Sequence, residues 1–455
     1  MISPSLTSSA REHALALARK HGWNATSFQT LREGFSYFFH SGGYVAYFDT
    51  GRAWVAAGAP ICSPDALQQT TEAFVSAARS AGRRVVFFAV EPRLLEENAE
   101  LLSSFPIGKQ PIWDPSTWPL TLKAHRSLRE QLRRARAKGV TIAQETDLAP
   151  YSSQIRTLVE RWLATRSMPK MGFLVAVDDL LESPEAVHFV AFRAERIVGM
   201  GAAIPVPGRK GLFVEHLIRD VDAPNGTIEL LIDTIFSWAG QQELAWVTLG
   251  LAPLVGPVPK PLALARQRLR WLYDFEGLAY FKAKLRPDHW APLYLAFPRT
   301  QGPVVSVIDA LRAFAAGSFL SFFARLLSRG HPLMLRALAL LLVPWTLLLA
   351  SASAETWFHG HVSVKWAWVV FDTLILMALF RLARAPRLRL ARALAYAVSL
   401  DALLTPLEAA LWNLREPRSP IELLIILVAC LAPPFAAFVL FGTADRLRTL
   451  EYRPS

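Results

Sequence analysis

The pattern of apolar and polar positions predicts a mixed α/β unit in the first part of the chain. Helical spacing of apolar residues at 8–21 predicts an amphipathic helix. Three short strand-like runs follow, and then a helix that Ser63-Pro64 opens and Gly82 closes. A buried strand at 84–90 completes the order β-β-β-α-β. We therefore predict a first compact unit in residues 1–120.

The same order recurs further along the chain. Helices are predicted at 150–166 and 227–239, and strands at 186–193, 196–206, 211–218 and 245–250. This repetition predicts a second unit in residues 141–300, joined to the first by a basic bridging helix at 121–140.

The last third of the chain has the pattern of a membrane protein. Residues 301–330 form an amphipathic connector in which phenylalanines alternate with arginines, a composition typical of a helix in the membrane interface. Four apolar runs follow within 331–445, at 332–352, 364–383, 391–413 and 420–442, each near the roughly 20 residues that a bilayer requires. We predict an α-helical membrane domain of about four transmembrane helices.

Charge and composition refine this division. The 455 residues are 52% hydrophobic and carry a formal net charge of +12, which favours anionic partners such as phospholipid or RNA. Arginines 381–392 crowd the loop between the second and third spans, which places that loop in the cytoplasm. The start has no basic region leading into an apolar core, so both termini and the soluble part are predicted to be cytoplasmic. Cys62 and Cys430 have no metal-ligand spacing, and no metal is expected.

The bridging helix is a candidate anion-binding surface. A narrow apolar edge of leucines docks it, and Glu130 is the single acidic residue among its cations. Five arginines are the proposed contacts to nucleic-acid phosphates: Arg126, Arg129, Arg133, Arg134 and Arg136. The alternative is a solvated helix face.

A second candidate lies where the strand at 211–218 turns into the helix at 227–239. A strand-turn-helix junction presents free backbone N–H groups to an anion, and Gly226 permits the turn while Thr227 is predicted to cap the helix. The candidate ligand contacts are Asp222, Asn225, Gly226 and Thr227. Arg196, Gly199 and Gly201 also fit an R-x-x-G-x-G phosphate motif, but they lie within a strand, so we take this match as a decoy.

Several motifs together resemble one family. They are Arg219 with the Ala223-Pro-Asn-Gly-Thr227 turn, the Leu249-Gly-Leu-Ala-Pro-Leu254 run, Phe275-Glu-Gly-Leu278, and Phe281-Lys-x-Lys-x-x-Pro-x-x-Trp290. In this combination, residues 25–298 resemble the C-terminal catalytic domain of the lysyl/alanyl-phosphatidylglycerol synthases, the multiple peptide resistance factor proteins.

The resemblance implies a fold and a reaction. The fold would be an α/β tandem GNAT-like domain, two mixed units joined by a basic helix. The reaction would move an aminoacyl group from aminoacyl-tRNA to the glycerol hydroxyl of phosphatidylglycerol, with no cofactor. Two features depart from the family: the apolar spans follow the domain rather than precede it, and His216 stands where an aspartate is usual.

Such a transfer requires a positioned hydroxyl, a base and donors for an oxyanion. Glu215 and His216 are the candidate bases, and Arg219 is the candidate contact for the lipid phosphate or the oxyanion. In a regular strand Glu215 and Arg219 share a face and His216 points away, an arrangement that a β-bulge would reverse. The alternative for Glu215 and His216 is a satisfied core pair.

A cationic segment follows the second unit's last predicted strand. Lys282, Lys284 and Arg286 are the candidate contacts to phosphates of lipid or tRNA. The alternative for these three is a solvated basic edge.

We expect an enzyme of a bacterial-type inner membrane. Two other hypotheses remain: a GNAT-type N-acyltransferase that uses an acyl thioester on a lipid, and a non-catalytic lipid-binding or lipid-flipping protein. The second draws on carboxylates within the spans, Asp372, Asp401 and Glu408, which either line a polar path or hold helices together. The sequence does not name the amino acid, the lipid or the oligomeric state.

Overall fold

A computed structural model describes residues 4–166, 168, 173–175, 185–270, 272–327, 329–330, 332–414 and 419–451. The chain forms two compact units. The sheet unit comprises residues 1–163 and 170–319, and the helical unit comprises residues 164–169 and 320–455.

In the described part of the sheet unit there are twelve strands and ten helices, apart from short 3₁₀ turns. The strands are β1 (Ser36–His40), β2 (Gly43–Asp49), β3 (Ala53–Ala57), β4 (Arg84–Val90), β5 (Leu102–Trp113), β6 (Val140–Glu145), β7 (Val187–Arg193), β8 (Arg196–Val206), β9 (Gly211–Arg219), β10 (Trp246–Thr248), β11 (Ala252–Pro253) and β12 (His289–Pro298). The helices are α1 (Pro4–His21), α2 (Leu67–Ser80), α3 (Pro92–Glu97), α4 (Trp118–Ala124), α5 (Arg126–Ala137), α6 (Ser152–Ala164), α7 (Thr227–Gln241), α8 (Lys260–Arg268), α9 (Phe275–Lys284) and α10 (Pro303–Phe314).

The strands join into one sheet in the order β1-β2-β3-β4-β12-β5-β10-β9-β8-β7-β6, with β11 paired to β5. Each half has antiparallel strands, a crossover helix and a parallel strand, with α2 between the parallel strands β3 and β4 and α7 between β9 and β10. The predicted repeat of two α/β units is therefore present.

The two halves exchange their last strands. The strand β12 ends the second half but lies between β4 and β5, while β5 follows the first half and pairs with β10. In each half, the last position of the sheet is therefore filled by a strand from the other half. The apolar pattern did not predict β5, β6 or β12, and the partners of β5 and β12 lie far away along the chain.

Helices cover both faces of the sheet. Along β3, Ala56 packs with Phe74 of α2, whereas the neighbouring Val55 packs with Ala310 and Ala313 of α10. Adjacent strand residues point to opposite faces, so α2 and α10 lie on opposite sides of the first half.

Two predicted elements differ in the structure. The basic helix predicted as continuous over 121–139 is broken at His125, which has an extended backbone between α4 and α5. Arg129 reaches back from α5 and donates to the carbonyls of Leu122 and Lys123. These carbonyls lie in the last turn of α4, where the helix no longer supplies N–H donors for all of its carbonyls. The predicted connector at 301–330 is also divided, because α10 packs on the sheet and belongs to the sheet unit.

The helical unit contains α11 (Phe319–Leu327, whose first residue belongs to the sheet unit), α12 (Pro332–Ser351), α13 (Ala354–Phe358), α14 (Val362–Arg384), α15 (Leu388–Glu408) and α16 (Pro420–Glu451). A π-helical segment, Ala409–Asn413, extends α15. Among the described residues, four helical segments are long and apolar enough to cross a membrane, and a fifth span is possible if the bent pair α10 and α11 counts as one. The predicted membrane domain of about four helices is confirmed in these terms.

Two carboxylates of these spans, Glu408 and Asp401, accept hydrogen bonds from neighbouring side chains. The indole of Trp368 in α14 donates to Glu408 in α15 at 2.9 Å, and Thr405 donates to Asp401 one turn away at 2.6 Å. Asp372 is buried in α14. The contact between Trp368 and Glu408 agrees with a role in holding helices together.

Candidate active site

A β-bulge in β9 shapes the candidate site. Val214 pairs with Ala203 and His216 with Ala202 on β8, so Glu215 is the extra residue and has no partner across the ladder. The bulge brings Glu215 and His216 together, with 3.5 Å between Oε1 of Glu215 and Nε2 of His216. A carboxylate beside an imidazole is an arrangement that can orient a general base.

Glu215 is held by residues from the first half of the chain. Arg32 contacts both of its carboxylate oxygens, at 2.6 Å and 2.7 Å, and Gln29 donates to Oε1 at 2.6 Å. The side chains of Arg32 and Glu215 are only 9% and 4% exposed. Such charge-assisted bidentate contacts fix the carboxylate in position. Glu215 is therefore better suited to orienting His216 than to accepting a proton itself.

Sequence analysis missed Gln29 and Arg32. Gln29 lies in a 3₁₀ turn, Gln29–Leu31, and Arg32 follows it directly. No local motif marks them, because their partner is about 180 residues away along the chain. The sequence contains one indication of this contact, which is a polar turn between apolar segments, and such a turn needs hydrogen-bond partners when it is buried.

Arg219 lies exposed at the end of β9. Within the described part of the chain, no hydrogen bond or ion pair joins its side chain to another residue. Its guanidinium is thus available to an anion. Its predicted role stays a prediction.

The residue after Arg219 forms a buried ionic cluster that the sequence did not indicate. Asp220 accepts from Arg161 at 2.9 Å and 3.1 Å and lies 3.3 Å from Arg196, and Arg161 also contacts Asp222 at 3.2 Å. Burial favours a raised pKa for Asp220, but the hydrogen bonds from Arg161 and from the Asp222 N–H outweigh it, so the pKa is lowered. Arg196 thus serves this cluster, as expected of a decoy phosphate motif.

The helix α5 covers the turn that leads into α7. The glycine at the N-cap, Gly226, has a φ of +94°, and a Cβ there would lie 2.1 Å from the carbonyl oxygen of Gln131 in α5. Thr227 is buried and its hydroxyl donates to the Pro224 carbonyl, so the prediction that it caps the helix is wrong. The open anion site predicted at Gly226 and Thr227 does not fit this packing. Asn225 is exposed.

A Gly226→Ala substitution is expected to destabilise the sheet unit. Gly51 has a similar positive φ of +79° with no atom near a built Cβ, so Gly51→Ala is a matched control that costs about 1–2 kcal/mol through backbone strain alone. Gly226→Ala should cost a further 1–3 kcal/mol or so, through overlap with α5. Thermal unfolding of the detergent-solubilised chain measures both. Equal shifts would contradict the close approach of α5.

The three predicted phosphate-binding cations have different environments. Lys282 is buried and donates to the carbonyls of Leu249, Gly250 and Leu251 at 2.8–3.0 Å, and burial lowers its pKa to about 7. All three ammonium donors are used inside the fold, so the prediction that Lys282 binds a phosphate does not fit the structure.

The other two members of that set lie nearer the surface. Lys284 pairs with Glu229 of α7 at 2.8 Å. Arg286 is exposed and, among the described residues, makes no ion pair. The structure therefore leaves Arg286 as the cation of this segment that is available to a ligand.

The arginines of α5 are also divided between internal contacts and exposure. Arg136 pairs with Asp233 of α7, Arg133 pairs with Glu130, and Arg129 contacts the end of α4. The side chains of Arg126 and Arg134 have no hydrogen bond or ion pair within the described chain. A cleft of about 520 Å³ lies beside α5 and is lined by apolar and charged side chains: Leu122, Leu132, Ala137, Arg129, Arg133, Arg136 and Asp233. The helix α5 thus has exposed arginines on its surface, although acidic residues neutralise part of its positive charge.

Among the described residues, no group of three or more histidine, cysteine, aspartate or glutamate side chains could hold a metal ion.

Comparisons with known proteins fit this architecture. The chain is 24% identical over 319 residues to phosphatidylglycerol lysyltransferase of Bacillus subtilis, a match of 66% of this chain but 36% of that protein. It thus spans well under half of that relative. Two solved structures match the fold. L-PGS from Bacillus licheniformis has a TM-score of 0.58 and 23% identity, and the match covers 67% of this chain and 96% of that one. A C-terminal domain from Agrobacterium fabrum, named for a putative lysylphosphatidylglycerol synthetase, has a TM-score of 0.60 and 24% identity, and the match covers 69% of this chain and 99% of that one.

These likenesses agree with the tandem GNAT-like fold that the sequence resemblance implied. A family model described as "Phosphatidylglycerol lysyltransferase, C-terminal" matches residues 15–297, which is more than half of the chain. The chain therefore belongs to the family of phosphatidylglycerol lysyltransferase C-terminal domains.

Proposed function

We propose that this chain is a membrane-bound aminoacyltransferase that moves an aminoacyl group from aminoacyl-tRNA to the headgroup of phosphatidylglycerol or a related lipid. Family membership and the name of the Bacillus subtilis relative support a lipid acceptor. The observation that carries the proposal is the Glu215–His216 pair in the β9 bulge, with the unpaired Arg219 at the end of the same strand.

The proposed reaction is an exchange of esters. His216 takes the proton from the lipid hydroxyl as its oxygen attacks the aminoacyl carbonyl carbon. Arg219 stabilises the negative charge that develops on the carbonyl oxygen, or holds the lipid phosphate. The bond to the tRNA ribose oxygen then breaks, and that oxygen receives the proton from His216. Glu215, fixed by Arg32, holds the imidazole and stabilises its cationic form.

We assign the tRNA to the basic surface of α5. The exposed Arg126 and Arg134 would contact backbone phosphates without reading bases, with Arg129, Arg133 and Arg136 adding to the local positive potential. The net charge of +12 supports an anionic partner of this size.

We place the protein in a bacterial-type inner membrane, with the sheet unit and both termini in the cytoplasm. The supporting feature is the arginine cluster between α14 and α15, which includes Arg381, Arg384 and Arg387. A cytoplasmic site would have direct access to charged tRNA.

The thioester hypothesis has less support than the tRNA hypothesis. A thioester carrier such as CoA would need a phosphate-binding turn at the start of α7, and α5 packs against Gly226 there. For the lipid-flipping hypothesis, the hydrogen bonds of Asp401 and Glu408 favour a structural role over an open polar path.

Reconstitution tests the proposal. The full chain in vesicles that contain phosphatidylglycerol should transfer a radiolabelled amino acid from charged tRNA to lipid, and ribonuclease added beforehand should abolish the transfer. Acyl-CoA should not replace the charged tRNA. Lipid labelling that survives ribonuclease, or that requires acyl-CoA, would reject the tRNA donor.

A further inference from the structure

The helix α10 buries polar residues and exposes apolar ones, the reverse of the usual arrangement in a surface helix. Its acidic residue, Asp309, is fully buried and accepts two hydrogen bonds from Arg84 of β4, at 2.6 Å and 2.8 Å. Ser306 is also fully buried and accepts a hydrogen bond from Gln301. Asp309 and Ser306 thus face the sheet, whereas Arg312, the other polar residue of the helix, is half-buried and lies over the ring of Phe319.

The outward face of α10 is apolar. Val304, Ile308 and Leu311 follow helical spacing and are 70%, 43% and 52% exposed. A helix on the surface of a water-soluble domain normally places polar residues outward. An apolar row of this kind, on a helix that the ion pair of Asp309 with Arg84 fixes to the sheet, marks a contact surface for an apolar partner.

A basic helix lies on the same side of the sheet. Leu262 of α8 packs against the same hydrophobic cluster as Val307 and Phe314 of α10. None of the residues of α8 is fully buried, and it contains Lys260, Arg266 and Arg268 but no acidic residue. Leu264 of α8 is exposed as well. Arg266 donates to the carbonyl of Leu254, and Lys260 and Arg268 are exposed, so this side of the sheet combines apolar side chains with exposed positive charge.

We infer that α10 and α8 form a docking surface on which the sheet unit rests against an anionic phospholipid bilayer. Apolar side chains suit the boundary of the acyl chains, and lysine and arginine suit anionic headgroups. The chain continues from α10 toward helices that are long enough to span a membrane, so a bilayer is close by. A second protein copy would not require the excess of basic residues.

The docking surface is linked to the candidate site. Gln29 donates both to Glu215 and to the carbonyl of Leu174, and Leu174 packs against the cluster that carries α8 and α10. A lipid headgroup at the docking surface would therefore be near the wall of the site. The docking itself does not depend on which group is transferred.

A depth-sensitive probe tests this inference on the full chain in vesicles, with no donor present. Ile308→Cys in a Cys62→Ala/Cys430→Ala background would carry an environment-sensitive fluorophore, and Ser76→Cys on the exposed side of α2 is the matched control on the opposite face. The probe at 308 should show blue-shifted emission and at least about twofold stronger quenching by doxyl-labelled lipids than the probe at 76.

Two outcomes would overturn the docking surface. Equal quenching at 308 and 76 would mean that water covers α10. Blue-shifted emission at 308 without quenching by lipid would mean that protein covers it. For α8, a probe at Leu264→Cys should be quenched more strongly in vesicles with phosphatidylglycerol than in purely zwitterionic ones, and equal quenching would remove the anionic lipid from the inference. Failure of aminoacyl transfer would leave all of these readings intact, so the two proposals fail separately.

Discussion

A His216→Ala variant is expected to lose lipid aminoacylation by about 10²- to 10⁴-fold, the usual contribution of a positioned acid–base group. The reason is that Glu215 is already engaged by Arg32 and Gln29, which leaves the imidazole as the group able to move the proton. The rate of transfer from charged tRNA to phosphatidylglycerol, measured in vesicles at saturating tRNA, gives the loss.

The control for this variant is His289→Ala. His289 is exposed at the start of β12 and lies in the same sheet, so its removal should leave both rate and stability unchanged. A His216→Ala enzyme that retains near wild-type turnover would show that the base lies elsewhere and that the bulge is structural.

An Arg161→Met substitution is expected to destabilise the sheet unit by about 3 kcal/mol. It would leave the buried Asp220 with Arg196 as its remaining cationic partner, and an uncompensated buried charge typically costs about 3–5 kcal/mol. Because the folded pKa of Asp220 is lowered, its contribution is present above about pH 4 and is lost as pH falls through the folded pKa. The wild-type chain should thus lose more stability on acidification than the variant.

Arg156→Met provides the comparison on the same helix. Arg156 is exposed on α6, so its loss should change the unfolding midpoint little. Chemical unfolding at pH 7 and at a series of pH values below 4, followed by the signal of the sheet unit, measures both variants. Equal midpoints for Arg161→Met and Arg156→Met would contradict the role of the buried cluster.

Local patterns predicted much of the fold. The strands at 84–90 and 196–206 have the bounds that their apolar runs indicated, because a buried strand must be apolar wherever it lies. The four apolar spans were also predicted from the sequence, because the thickness of a bilayer sets their length. The bulge at Glu215 was an explicit alternative, and the structure contains it.

Long-range pairing could not be read from the same patterns. The exchange of β5 and β12 pairs strands that are far apart in sequence. The ion pair of Arg32 with Glu215 likewise joins residues that are far apart in sequence. Lys282 illustrates a different limit: a lysine in a cationic segment reads as solvated, yet three carbonyls enclose it. Whether a helix N-terminus is open or covered likewise depends on packing, as α5 over Gly226 shows.

The most direct test of the account is a lipid profile of host cells. Mass spectrometry of lipids from cells that produce the full chain should reveal an aminoacylated form of phosphatidylglycerol or a related lipid. That species should be absent without the gene, absent with Arg219→Ala and retained with Arg156→Met. An unchanged lipid profile, with the wild-type protein present in the membrane, would contradict the proposed transferase and favour a lipid-binding role.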